Sequence, residues 1–153
     1  MNVKRWNFFA CLFLLVLLLL AGASQSGAQA QEADTKGWVD LGGLKIPASW
    51  STSLLEEGPG GVNITGEGAG GRPVEMFFGE GFDCPIDMLL EESVSWQKFT
   101  FGDNQGGYMA EFPESIIWVR ESYANVTLYH NGDRSVFTDN EDLILSVVRT
   151  LTD

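Results

Sequence analysis

The stretch that decides the fold is 138-TDNEDLILSVVRTL-151. Leu143, Ile144, Val147, Val148 and Leu151 recur at helical spacing and make one apolar stripe. Thr138-Asp139-Asn140-Glu141 reads as a capping box. The Thr hydroxyl satisfies one orphan N–H, and Glu141 reaches back to another. Arg149 falls in the last turn, where a cation suits the helix dipole. A helix with a single apolar stripe must cover something, and the chain before it is rich in short strands.

Those strands are readable from alternation and from turns. Trp38–Leu41 and Leu44–Ile46 flank Gly42-Gly43, a two-residue hairpin signal. Trp50–Leu55, Val62–Thr65, Val74–Phe78, Lys98–Phe101 and Tyr108–Phe112 follow. Ile116–Val119 is a continuous apolar run and reads as a central strand. Val126–His130 leads into Asn131-Gly132, a strong hairpin signal, with Arg134–Phe137 as the expected return strand. A second helix is expected from Pro85 to about Trp96, with Asp83 as N-cap and Ile86, Leu89, Leu90 and Ser93 on one face. Hairpin-linked strands with one helix inside and one at the end describe an α+β domain. Its sheet is central and largely antiparallel, with the middle helix and the C-terminal helix packed on it.

Ahead of this domain the chain changes character. Lys4 and Arg5 precede the apolar run Phe8–Ala21, and Ala28-Gln29-Ala30 gives an A-x-A cleavage site. The expectation is a signal peptide over 1–30, a flexible polar leader over 31–36 and a single domain over 37–153. The run is short for a membrane span, so no stable insertion is expected after cleavage, and a retained anchor is the competing reading. Cys11 lies at the beginning of the run, the wrong place for a lipid-bearing cysteine. The protein is thus read as exported, periplasmic or extracellular.

The formal net charge is −12, and losing Lys4 and Arg5 makes it more negative. Such a surface repels phosphate backbones, so nucleic acid is excluded as a partner. It favours solubility and reads first as a well-solvated surface, with attraction of cations or basic proteins as the second reading.

Leu44-Lys45-Ile46-Pro47-Ala48-Ser49-Trp50 resembles the opening strand and Pro-x-x-Trp of the PsbP-like family. That family includes the extrinsic protein of photosystem II and shares its fold with an import factor that binds Ran. Asn140–Leu151 is similar to the family's last helix, which often carries Ile-Leu-x-Ser. The resemblance implies an antiparallel sheet between helices and a non-enzymatic binding or assembly role. It brings no catalytic residues. The Gly66–Gly71 loop and the acidity depart from the pattern.

Few residues offer chemistry. Cys84 is the one cysteine left after cleavage, so an internal disulfide is impossible. A helix N-terminus would favour its thiolate, but Asp83, Asp87, Glu91 and Glu92 oppose ionisation. The chain has one histidine, His130, which reads as partly exposed beside a turn. Cys84 is expected to pack beneath the sheet as an inert thiol. Gly66–Gly71 matches G-x-G-x-x-G but precedes a strand, so it reads as a hairpin loop and not as a dinucleotide site. Gly102–Gly107 reads as a hairpin loop and not as a calcium site. Glu56-Glu57 and Glu91-Glu92 supply carboxylates without a pairing signature. No catalytic, cofactor or metal-binding residue is assigned. Asn63 and Asn125 open glycosylation sequons that fall in strands. Tryptophans 38, 50, 96 and 118 read mainly as core, and an exposed aromatic patch would mark a partner surface.

Three classes remain: a non-catalytic binding or assembly domain with an unidentified protein partner, an enzyme using Cys84 or a carboxylate pair in a cleft, and an acidic cation-binding module. The oligomeric state is open.

Overall fold

A computed structural model describes residues 37–55, 60–79, 81 and 84–153. The expected signal peptide, its leader, Glu56-Glu57 and the Asp83 cap lie outside the described residues. The elements run β1 (Trp38–Asp40), β2 (Lys45–Pro47), β3 (Ser51–Leu54), β4 (Gly61–Glu67), β5 (Pro73–Gly79), α1 (Ile86–Glu92), β6 (Ser95–Thr100), β7 (Gly106–Glu111), β8 (Ser115–Arg120), β9 (Asn125–Tyr129), α2 (Ser135–Thr138) and α3 (Glu141–Val148). A short 3-10 turn, Ala69–Gly71, sits between β4 and β5. The fold is α+β, with a seven-stranded antiparallel sheet of order β3-β4-β5-β9-β8-β7-β6 and a separate β1–β2 pair. Among the described residues no helix is long and apolar enough to cross a membrane.

Register fixes the faces. Trp118 pairs with Val126 and Met109, and Val126 pairs with Phe78, so these side chains share one face. On it Ile64, Val74, Met76, Phe78, Ile116, Trp118, Val126 and Leu128 are buried together with Ile144, Val147, Val148 and Leu151. The apolar stripe of 143–151 therefore does cover the sheet, and each fully buried aliphatic chain contributes about 1.5–3 kcal/mol. Ile46 of β2 and Leu44 just before it belong to the same core. The Lys45 N–H donates to Thr150 Oγ1 at 2.9 Å. Gly42 and Gly43 turn the β1–β2 hairpin with positive φ, and Asp40 Oδ1 accepts both their N–H groups.

The chain leaves β5 in the middle of the sheet, reaches β6 at the far edge, and returns through β7 and β8 so that β9 slots beside β5. This crossover carries α1, whose Leu89 and Leu90 are buried outside the principal core. Ala110 and Val119, on the reverse face of the sheet, are likewise buried outside it.

Three expectations need correction. The Arg134–Phe137 return strand does not exist. Both edges of β9 are taken, by β5 and β8, so no hairpin partner can be added. After the Asn131-Gly132 turn, Asp133 Oδ1 instead accepts from the Ser135 N–H and hydroxyl, and α2 begins. The capping box is not made either. Thr138 is the last residue of α2, and Asn140 holds the N-cap position of α3 without capping it. Its side chain is engaged elsewhere, accepting from Ala69 N at 2.6 Å and donating to Val136 O at 2.8 Å. Finally, the middle helix stops at Glu92. Ser93 N–H and Oγ both donate to Leu90 O, which closes the helix end, and Ser95–Thr100 pairs with β7. The continuous run Ile116–Val119 does lie in an interior strand, β8, paired on both sides.

Candidate functional site

The sequence-derived candidates do not converge. Cys84 is half-buried in a bend before Pro85, ahead of α1 and not in its first turn. It does not join the principal core, so the expectation of a thiol packed under the sheet is corrected to a half-buried one. His130 is also corrected: it is buried, 6% exposed, at the end of β9. Its main chain explains this, because the His130 and Asn131 N–H groups both donate to Glu114 O and hold the segment down. Its Nδ1 has no hydrogen-bond partner, and neither has Trp118 Nε1. Glu91 and Glu92 are exposed at the end of α1. Among the described residues no three His, Cys, Asp or Glu side chains group as metal ligands.

Both glycine loops are hairpin connections, as read from the sequence. Gly66–Gly71 joins β4 to β5 and is pinned by Asn140 through Ala69 N. A Cβ at Gly66 would fall inside the Trp50 indole, so this glycine serves close packing and not a phosphate. Gly102–Gly107 spans the β6–β7 turn, where Asp103 binds Arg120 and the Gln105 N–H. Asn125 is buried, and its amide donates to Gly81 O and Tyr123 O, which leaves no room for a glycan in the fold.

The strongest polar cluster is built around Arg120, 2% exposed at the end of β8. Its five N–H donors are all used. Nη1 reaches Asp103 Oδ1 at 3.1 Å and Leu151 O at 2.8 Å, and Nη2 reaches Asp103 Oδ2 at 2.9 Å. Nε and Nη2 bind Asp153 at 3.0 and 3.5 Å. The guanidinium also lies 5.1 Å from the centre of the Phe101 ring. Hydrogen bonding to Asp103 raises the Arg120 pKa, and the same bond lowers that of Asp103. Asp153 is lowered first by Ser122, whose hydroxyl it accepts, and then by Arg120.

A second cluster, more exposed, joins Arg72 to Asp133 at 3.0 Å, to Asp139 at 2.9 Å and to Ser135 Oγ at 2.9 Å. It ties the β4–β5 loop to α2. Arg134 binds Glu111 at 2.5 Å. These cations are thus spent on holding loops to the fold. The depression of about 320 Å³ over Thr138–Leu143 is lined by one continuous stretch of chain, with no side chains brought in from elsewhere.

Some large apolar and aromatic side chains also face outward. Met88 in α1 is 48% exposed, Val94 is 73% exposed, and Trp96 in β6 is 51% exposed. Trp96 packs edge-on against Tyr108 of β7, with ring centres 5.8 Å apart. β6 is an edge strand. This patch was hidden in the sequence by the reading of Trp96 as a helix end. The available signal was Ser95-Trp96-Gln97-Lys98-Phe99-Thr100, whose alternation begins at Ser95. Comparison with family models, curated proteins and solved structures finds no match to the chain.

Proposed function

We propose that the chain is a secreted or periplasmic, non-catalytic domain of PsbP-like type that binds a partner protein or stabilises an assembly. The observation that carries the reading is the exposed pair Val94 and Trp96, just before and on β6, whose outer edge is unpaired among the described residues. Adjacent exposed apolar side chains mark interaction surfaces more often than they mark reactive clefts. Three of the four described arginines agree: Arg72, Arg120 and Arg134 are each neutralised within the fold. The PsbP-like part leans on two placements. Pro47 ends β2 and Trp50 enters the core, while the segment matched to the family's last helix packs on the antiparallel sheet.

The test is capture from the native envelope using the full chain and a Cys84→Ala variant. The reading expects a specifically retained protein, held equally by both forms. Retention of no specific protein, or an activity that disappears with the Cys84 thiol, would count for the enzyme instead. N-terminal sequencing of the chain recovered from that envelope tests export. A start at Gln31 is the expected result.

A further inference from the structure

Resting on the binding-domain reading, we propose that the outer edge of β6 receives an extended segment of a partner protein, rich in lysine or arginine, as an added strand. The parity of β6 shows what is on offer. Phe101 N–H donates to Gln105 O at 3.0 Å across the β6–β7 turn, and the register continues as Phe99↔Gly107, Gln97↔Met109 and Ser95↔Glu111. In an antiparallel ladder, main-chain groups point alternately towards and away from the neighbour. Ser95, Gln97 and Phe99 therefore turn theirs to β7. Trp96, Lys98 and Thr100 turn theirs to the open edge. An incoming strand would satisfy these groups and lie against the Trp96 indole. β3, the opposite edge, is shorter, at 4 residues against 6, and carries no aromatic side chain.

Charge selects the occupant. α1 ends two positions before Val94 and exposes Asp87, Glu91 and Glu92. None of the ion pairs among the described residues uses them. A strand carrying cations complements this border. A second copy of the chain does not. It would bring a second strongly negative chain against the same acids.

The experiment uses two synthetic peptides of about eight residues, a length within the usual range for one strand. One alternates valine with lysine, the other valine with glutamate. Each is added to the full chain while amide hydrogen exchange is followed by NMR. The valine–lysine peptide should bind in a salt-sensitive way and slow the amides of Trp96, Lys98 and Thr100, leaving Ser95, Gln97 and Phe99 unchanged. Lys98→Pro removes an outward N–H without breaking a bond to β7, and should weaken binding about tenfold or more. Trp96→Ala, at an exposed site, should weaken it in the same direction if the proline variant fails to fold. Equal binding of both peptides, slowing at β3 instead of β6, undiminished binding by the folded variants, or a homodimer abolished by Lys98→Pro would each overturn the proposal. The two readings separate in the envelope capture. A partner retained undiminished by Lys98→Pro sinks the edge but keeps the binding domain. A wild-type chain that retains nothing sinks both.

Discussion

Arg120 and Asp103 meet through two parallel hydrogen bonds, 3.1 Å from Nη1 to Oδ1 and 2.9 Å from Nη2 to Oδ2, although the arginine is buried and the aspartate is not. The asymmetry decides which truncation hurts. Removing Asp103 leaves a buried cation short of two acceptors. Asp103→Ala should cost about 2–3 kcal/mol, somewhat below a full buried-pair loss because Leu151 O and Asp153 remain. Asp153 is 61% exposed, and Asp153→Ala should cost clearly less than Asp103→Ala. Urea unfolding of both variants measures the difference, and equal costs would contradict this account of Arg120.

Acid should unfold the domain through the same carboxylates. Asp103 is held below its ordinary range by Arg120, Asp153 by Ser122 and then Arg120, and Asp133 by the Ser135 hydroxyl. Each therefore binds its proton less readily folded than unfolded. The stability they contribute is present above the unfolded carboxylate value of about 3.9 and is lost as pH falls through the folded values. The urea midpoint should change little because of these groups from about pH 7 to 5 and drop below about pH 4. Asp103→Asn should flatten that drop. A midpoint that rises on acidification would refute the sign.

The α2–α3 junction makes opposite demands on two neighbours. Thr138 is exposed and caps nothing, so Thr138→Ala should change stability by less than about 0.5 kcal/mol. Asn140 is buried and bridges Ala69 N to Val136 O, so Asn140→Ala should cost about 1–3 kcal/mol. It should also speed amide exchange at Ala69. A costly Thr138→Ala would restore the capping box.

Trp50 and Gly66 should be strongly coupled. Gly66→Ala thrusts a methyl into the indole and should cost about 1–3 kcal/mol. In a Trp50→Ala background the methyl has space, and most of that cost should vanish. Additive costs in the double-mutant cycle would mean the two do not touch.

The legible part of the fold was the part set by periodicity. The stripe from Leu143 to Leu151, the Gly42-Gly43 hairpin and the two glycine-rich hairpin loops all stand where alternation and turn chemistry put them. The illegible part was set by competition at a distance. Asn131-Gly132 makes its turn, but whether a strand follows depends on a free edge, and β5 reaches β9 from fifty residues upstream. Thr138 lost its cap role because Asp133 started a helix earlier and Asn140 was claimed by the β4–β5 loop. His130 looked exposed beside its turn, but its N–H bond to Glu114 O continues the β8–β9 register and keeps it on the face of Val126 and Leu128. The site suffered most. Trp96 could be given to a helix or a strand by local pattern alone, and its place on the sheet's edge follows from strand order, which no local window contains.

The most direct test of the binding surface is a photo-crosslinking amino acid placed at Trp96, with the same substitution at exposed Tyr123 as the comparison. Irradiation of the native envelope should join one basic protein to the chain at position 96 and none at 123. No crosslink at 96, or equal crosslinking at both positions, would contradict the account.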